Sequence, residues 1–249
     1  MKTQQHKRDT QLSSTNMKSL IVFCFLAALC VLQVSAYNEL DQLNSQAKQS
    51  KNNVNRIMRS AQLNRNNLSN SIKMNLSNLK INSMMNINDY VNPTLDKIRA
   101  EVNAAKEKGI DAEQCYIDAK YKLGVISQTG FSVLQQCKTN AESLLEVQLR
   151  VLEKIEATGN DYLYELSFLF GSCYSSDSLE MQNCIALKLG NINNSIKSYE
   201  NAINSQFRYT EKTARRAVIE ANSCNINAVS KVYADTTNTT INASRCIGG

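Results

Sequence analysis

Six cysteines between Cys115 and Cys246 lie at intervals of 22, 36, 11, 40 and 22 residues, a near palindrome. A chain that folds back between Cys173 and Cys184 brings Cys115 to Cys246, Cys137 to Cys224 and Cys173 to Cys184 in one register. A helix rises about 1.5 Å per residue, so 22 residues span about 33 Å, whereas bridged cysteines need Cα atoms within about 7 Å. Cys115 and Cys137 on one helix therefore cannot bond each other. At roughly 3.6 residues per turn, 22 residues make six turns with about 40° left over, so both thiols point to one side. An antiparallel helix with the same interval, Cys224 to Cys246, meets them twice. A turn between Gly124 and Gly130, or around Asp235 to Thr240, would instead permit local bridges from Cys115 to Cys137 and from Cys224 to Cys246, and six cysteines allow fifteen connectivities.

Two further cysteines, Cys24 and Cys30, sit in a different kind of segment. Leu20 to Leu32 is an almost unbroken apolar run, preceded by Lys18 and followed by Val34-Ser35-Ala36. This is the pattern of a secretory leader cleaved after Ala36, and the run falls short of the roughly 20 residues needed to cross a bilayer. Met17 is an alternative start. Cleavage removes Lys2, Lys7, Arg8 and Lys18 against Asp9, which lowers the net charge from +6 to +3. So small a charge argues against a nucleic-acid partner, which requires a clustered basic face. Cleavage also leaves an even six cysteines for an oxidising compartment, and it removes His6, the one histidine of the chain. Sequons at Asn67, Asn75, Asn193, Asn238 and Asn242 are candidate glycosylation sites in a secreted protein, whereas Pro93 excludes Asn92.

Along the mature chain the periodicity is helical throughout. From Asn38 to Val91 the residues Leu43, Ala47, Val54, Ile57, Ala61 and Ile72 keep an amphipathic spacing amid asparagine and serine, which favour caps and turns. This arm needs a partner to persist, and Met74, Met84 and Met85 read as soft core filler near its end. Pro93 marks a helix boundary. A short helix then carries Leu95, Ile98 and Val102 to Gly109, a C-cap, and Asp111 is an N-cap for the next. Tyr116 to Ile155, with Leu144 in the apolar phase, reads as one helix through Gly124 and Gly130 that Gly159 ends. Ser175 to Ser178 form a turn and cap, a helix starts at Glu180, and the last long pattern, Ile196 to Val232, fades after Asp235.

The chemistry expected of this pattern is sparse. Without a mature histidine, the usual Ser-His-Asp and Cys-His arrangements cannot be built. Asp111 with Glu113, and Glu153 with Glu156, read as solvated carboxylates. The cysteines show no Cys-x-x-Cys pair and no histidine neighbour, so they read as structural rather than zinc-binding. Arg208, Lys212, Arg215 and Arg216, interrupted by Glu211 and Glu220, read as a solvated helix face. No catalytic residue, cofactor, metal or stable membrane insertion is expected. If the protein carries a small apolar ligand, Tyr162, Leu163, Phe168, Leu169 and Phe170 are the first lining candidates.

The leader, the helical spacers and the six cysteines, Cys115, Cys137, Cys173, Cys184, Cys224 and Cys246, together resemble the TsetseEP-domain family of secreted fly proteins over roughly residues 95 to 247. The chain departs from the family's namesake in ending without an acidic Glu-Pro tail and in carrying the asparagine-rich arm. The leader, the sequons and the lack of catalytic groups point to a secreted, non-enzymatic interaction protein with an extracellular protein or glycan as partner, and the resemblance implies a role in gut lumen or haemolymph with an immune connection. The expected architecture is an all-α, elongated antiparallel helical bundle or hairpin braced by three disulfides. It is preceded by a leader over 1–36 and an arm over 37–92, with the six-cysteine domain over 93–249.

Overall fold

The computed structural model describes the backbone of residues 5–248 and the side chains of residues 39–248; the leader expected over 1–36 lies outside the described side chains. The described residues form four helices and no strand: α1 (Gln5–Glu107), α2 (Glu113–Ala157), α3 (Gly159–Ser172) and α4 (Ser178–Gly248). They divide into two compact units. One takes residues up to Met58 with Ala157–Glu200, and the other takes Arg59–Glu156 with Asn201–Gly249.

In the larger unit α1, α2 and α4 each contribute a stripe to a shared core. Ile87 and Ile98 from α1, Leu123 and Leu134 from α2, and Ala228 and Val232 from α4 are buried together. A second layer joins Ile72 and Leu76 to Leu145 and to Ala214, Ala217 and Ala221. Within this unit the asparagine-rich arm thus finds its partners in α2 and α4, and its asparagines take the outer face. Alanines on α4 let the helices approach closely while still removing apolar surface from water, at about 25 cal/mol per Å². Met74 and Met85 are exposed rather than core filler, and only Met84 packs against the core.

The bridges join Cys115 to Cys246, Cys137 to Cys224 and Cys173 to Cys184, with Cα separations of 5.9, 5.9 and 5.6 Å. The first two tie α2 to α4 within the larger unit. The third closes the turn between α3 and α4 in the smaller one, where Asp177 Oδ1 accepts from the backbone N–H of Leu179 and Glu180 and so caps α4. In that smaller unit Ile57 of α1, Leu166 and Leu169 of α3, and Ile185 and Leu189 of α4 are buried.

Three helix boundaries differ from expectation. Pro93 does not end a helix, because α1 runs through it. A proline inside a helix costs about 3 kcal/mol, but Ile87, Val91 and Ile98 are buried on either side of it and hold the path. Asp89, whose carbonyl loses its donor, is exposed to water. Gly159 does not end α2 but opens α3. A Cβ there would stand 2.6 Å from Met58 Sδ and 2.7 Å from Tyr199 Oη, so the glycine serves close packing. Finally, α4 starts at Ser178 and continues past Asp235 to Gly248. Its last turns bury Thr236, Thr239, Ala243 and Ile247, and the hydroxyls of Thr237, Thr239 and Thr240 donate to the carbonyls four residues back. Thr239 so satisfies its buried hydroxyl, whereas the buried Thr236 Oγ1 has no hydrogen-bond partner among the described residues. The corner between α1 and α2 follows expectation. Gly109 has φ +80°, Gly109 N donates to Lys106 O and Ile110 N to Ala105 O, which is the Schellman pattern. Asp111 Oδ1 accepts from Glu113 N.

The two glycines inside α2 are not equivalent. A Cβ at Gly124 meets nothing within 4 Å, whereas at Gly130 it would lie 2.7 Å from Val232 Cγ2 and 2.9 Å from Ile87 Cδ1. Gly124→Ala is therefore expected to raise the unfolding free energy by about 1 kcal/mol through helix propensity. At Gly130 the same gain is opposed by overpacking of about 1–3 kcal/mol against a β-branched neighbour that is stiff at χ1, so a net loss of about 1 kcal/mol is expected. Urea denaturation of the two variants checks both signs, and stabilisation by Gly130→Ala would contradict this packing.

Candidate functional site

Two of the four carboxylates singled out in the sequence, Glu113 and Glu156, pair with arginines. Glu113 accepts from Arg99 at 2.8 and 3.0 Å, and the Arg99 guanidinium also lies 3.4 Å from the centroid of the Tyr116 ring. The hydrogen bond from Arg99 holds the Glu113 carboxyl below its ordinary range. Glu156 is not a solvated surface group, as its place beside Glu153 suggests. It is buried, and Arg65 Nε donates to its two oxygens at 3.1 and 3.3 Å. Burial raises its affinity for a proton, and the Arg65 charge only partly opposes this. Glu113 and Glu156 thus each meet an arginine of α1. The basic face of α4 is solvated as expected: Arg215 pairs with Glu211 and Arg216 with Glu220, each at 2.7 Å along the helix. Among the described residues no cluster of three metal-binding side chains forms, and no helix is long and apolar enough to cross a membrane.

The expected ligand-lining residues are dispersed. Leu169 is buried in the smaller unit, while Phe168 is exposed and stacks on Tyr164 with ring centroids 4.5 Å apart. Tyr162 instead meets Tyr199, at 5.5 Å. Only Phe168 and Leu169 of the five line the cleft of about 390 Å³ found there, beside Tyr164, Lys188 and Ile192. Leu163 and Phe170 are half-buried and lie outside that lining. All five sequon asparagines stand on exposed helix surface, Asn67 and Asn75 on α1 and Asn193, Asn238 and Asn242 on α4. Asn193 is partly engaged, since its Oδ1 accepts from Ser50 Oγ at 2.6 Å.

A larger concavity than that cleft lies between α2 and α4 of the larger unit. It is an open groove of about 730 Å³ with Val125, Ile126, Val133 and Val232 among its walls and Glu220, Lys231 and Asp235 on its α4 rim. Cys224, bridged to Cys137, forms part of its lining. The chain matches no family model, no curated protein and no solved structure. Besides Val125 and Val133 of the groove, α2 exposes Leu144, Val147 and Val151 on the same side, beyond the polar Gln136 and Asn140. At about 100° per residue these five fall within a sector of about 100°, next to the buried stripe of the same helix. Leu144 belongs to this outer stripe and not to the core phase, being 49% exposed. The sequence signal for the groove was present as a second set of valines offset from the first.

Proposed function

We propose that this chain is a secreted, non-enzymatic interaction protein whose working surface is the face shared by α2 and α4. The observation that carries this reading is the set of exposed apolar residues on one side of α2 beside the groove, since exposed apolar surface rimmed by polar residues marks interaction sites. Three disulfides suit an oxidising compartment, which supports secretion. The cysteine spacing resembles that of TsetseEP-domain proteins and supports an extracellular protein or glycan partner in insect gut lumen or haemolymph, with an immune connection. In the test, the glycosylated chain secreted from insect cells is immobilised and challenged with fractionated gut and haemolymph fluid. Saturable retention of a defined component, lost in Val133→Asp with helicity unchanged, is the expected result. A hydrolase activity abolished by replacing one carboxylate would overturn it.

The second reading, a carrier of a small apolar ligand, is favoured by the volume of the groove, which lies within the roughly 300–1,000 Å³ typical of ligand sites. Native mass spectrometry after exposure to a lipid extract separates the two readings: a stoichiometric adduct lost in Val133→Asp supports the carrier.

A further inference from the structure

We propose that a second copy of this chain docks on the α2/α4 face, its α4 antiparallel to that of the first, about a two-fold axis at the level of Asn225 and Ile226. The inference rests on reading this face as an interaction surface and names its occupant.

The charge order along α4 is the first argument. Arg216, Glu220, Lys231 and Asp235 follow one another as plus, minus, plus, minus. The last three rim the groove, and Arg216 is bonded to Glu220. Lys231 and Asp235 have the same spacing of four as Arg216 and Glu220. Read backwards, the order becomes minus, plus, minus, plus. An antiparallel copy centred between Asn225 and Ile226 therefore places Arg216 opposite the partner's Asp235 and Glu220 opposite the partner's Lys231. The two-fold axis repeats both pairs, since an isologous interface must be self-complementary. A parallel copy in register would set like charge against like.

The apolar stripe gives a second and independent argument. Cys137 is bridged to Cys224 and Cys115 to Cys246, so the level of Asn225 on α4 corresponds to Gln135 and Gln136 on α2. The exposed stripe runs from Val125 to Val151 and is centred on Lys138. Two features on different helices thus share nearly one centre. The area is also sufficient. At about 1.5 Å per residue the stripe is about 39 Å long, and two neighbouring helices present a width of about 20 Å. The resulting footprint of about 800 Å² per partner is that of a stable specific interface.

Charge reversal and mixing test the pairing. Asn238 stands about one turn past Asp235, so N-glycans are removed enzymatically from the secreted chain before sedimentation equilibrium. The unmodified chain is expected to dimerise. Glu220→Lys and Lys231→Glu, both on exposed helix surface, should each weaken dimerisation about tenfold or more by setting like charges opposite. An equimolar mixture of the two variants should restore it. At one end the lysine introduced at position 220 then faces the glutamate introduced at position 231, and at the other the two native side chains, Lys231 and Glu220, still meet. Circular dichroism confirms that the variants remain helical. A monomeric chain at all concentrations, a dimer indifferent to both reversals, or a mixture that fails to recover would overturn the proposal. A monomer that still loses an external partner through Val133→Asp would overturn the pairing alone and leave the interaction surface standing.

Discussion

Replacing Cys115 and Cys246 together is expected to lower the unfolding free energy by about 4 kcal/mol, and replacing Cys173 and Cys184 by about 3 kcal/mol. The difference follows from nesting. The outer and inner long bridges close 131 and 87 residues, and with the inner bridge intact the outer one closes only the difference, about 44. The chain-entropy relation for a loop of about 44 residues gives near 4 kcal/mol, and for the 11-residue separation at the tip slightly under 3 kcal/mol. Removing both long bridges should therefore cost less than the sum of two isolated loops of 131 and 87 residues. α1 carries no cysteine after residue 38, so full reduction leaves it held by packing alone, and its exposed amides should gain hydrogen exchange only as α2 and α4 loosen. Guanidinium denaturation of the paired serine variants gives the magnitudes. Unreduced peptide mapping checks the connectivity directly: a fragment linking Cys115 to Cys137 would require a break in α2 that the buried run Leu123, Gly130, Leu134 leaves no room for.

What was legible in the sequence divides along physical lines. Equal intervals of 22 residues are a geometric statement about two straight antiparallel helices, and geometry of that kind survives any choice of side chains. The stripe from Ala47 to Ile72 was legible for the same reason, although nothing in it named α2 and α4 as its partners. The continuation of α4 was hidden because Thr236 and Thr239 occupy buried positions where the eye expects valine or isoleucine. Local propensity likewise placed a boundary at Pro93, and tertiary burial of Ile87 and Ile98 overrode it. The groove was obscured because α2 carries two apolar stripes, and Leu144 and Leu145, adjacent in sequence, belong to different ones. A carboxylate at Glu156 continues the spacing of Leu145 and Leu152, and Arg65 continues that of Ala61. Each looks like an interruption on its own helix, and only the fold shows that one answers the other.

That pair carries the second large expectation. The side chains of Arg65 and Glu156 are only 19% and 10% exposed, and removing one member of a buried pair strands the other, at a cost of about 3–5 kcal/mol. Glu156→Leu is expected to lose about 3 kcal/mol or more at any pH from about 4 to 8, because a stranded guanidinium cannot discard its proton. Arg65→Met should also be destabilising near neutral pH but much less so in acid, where Glu156, no longer facing the arginine charge, takes up a proton and ceases to be a buried charge. The double replacement should be close to neutral, since apolar side chains of similar volume offset the lost pairing by escaping desolvation. The sign of the wild-type titration follows from the raised proton affinity of folded Glu156. The folded state binds this proton more tightly than the unfolded state, so the contribution of Glu156 to stability is greatest below the ordinary carboxylate pKa and falls as pH rises through the raised value. Subtracting the pH profile of the double variant from that of the wild type isolates this slope. A difference that rises with pH across that window would mean that attraction to Arg65 outweighs burial, the reverse of the balance described for Glu156.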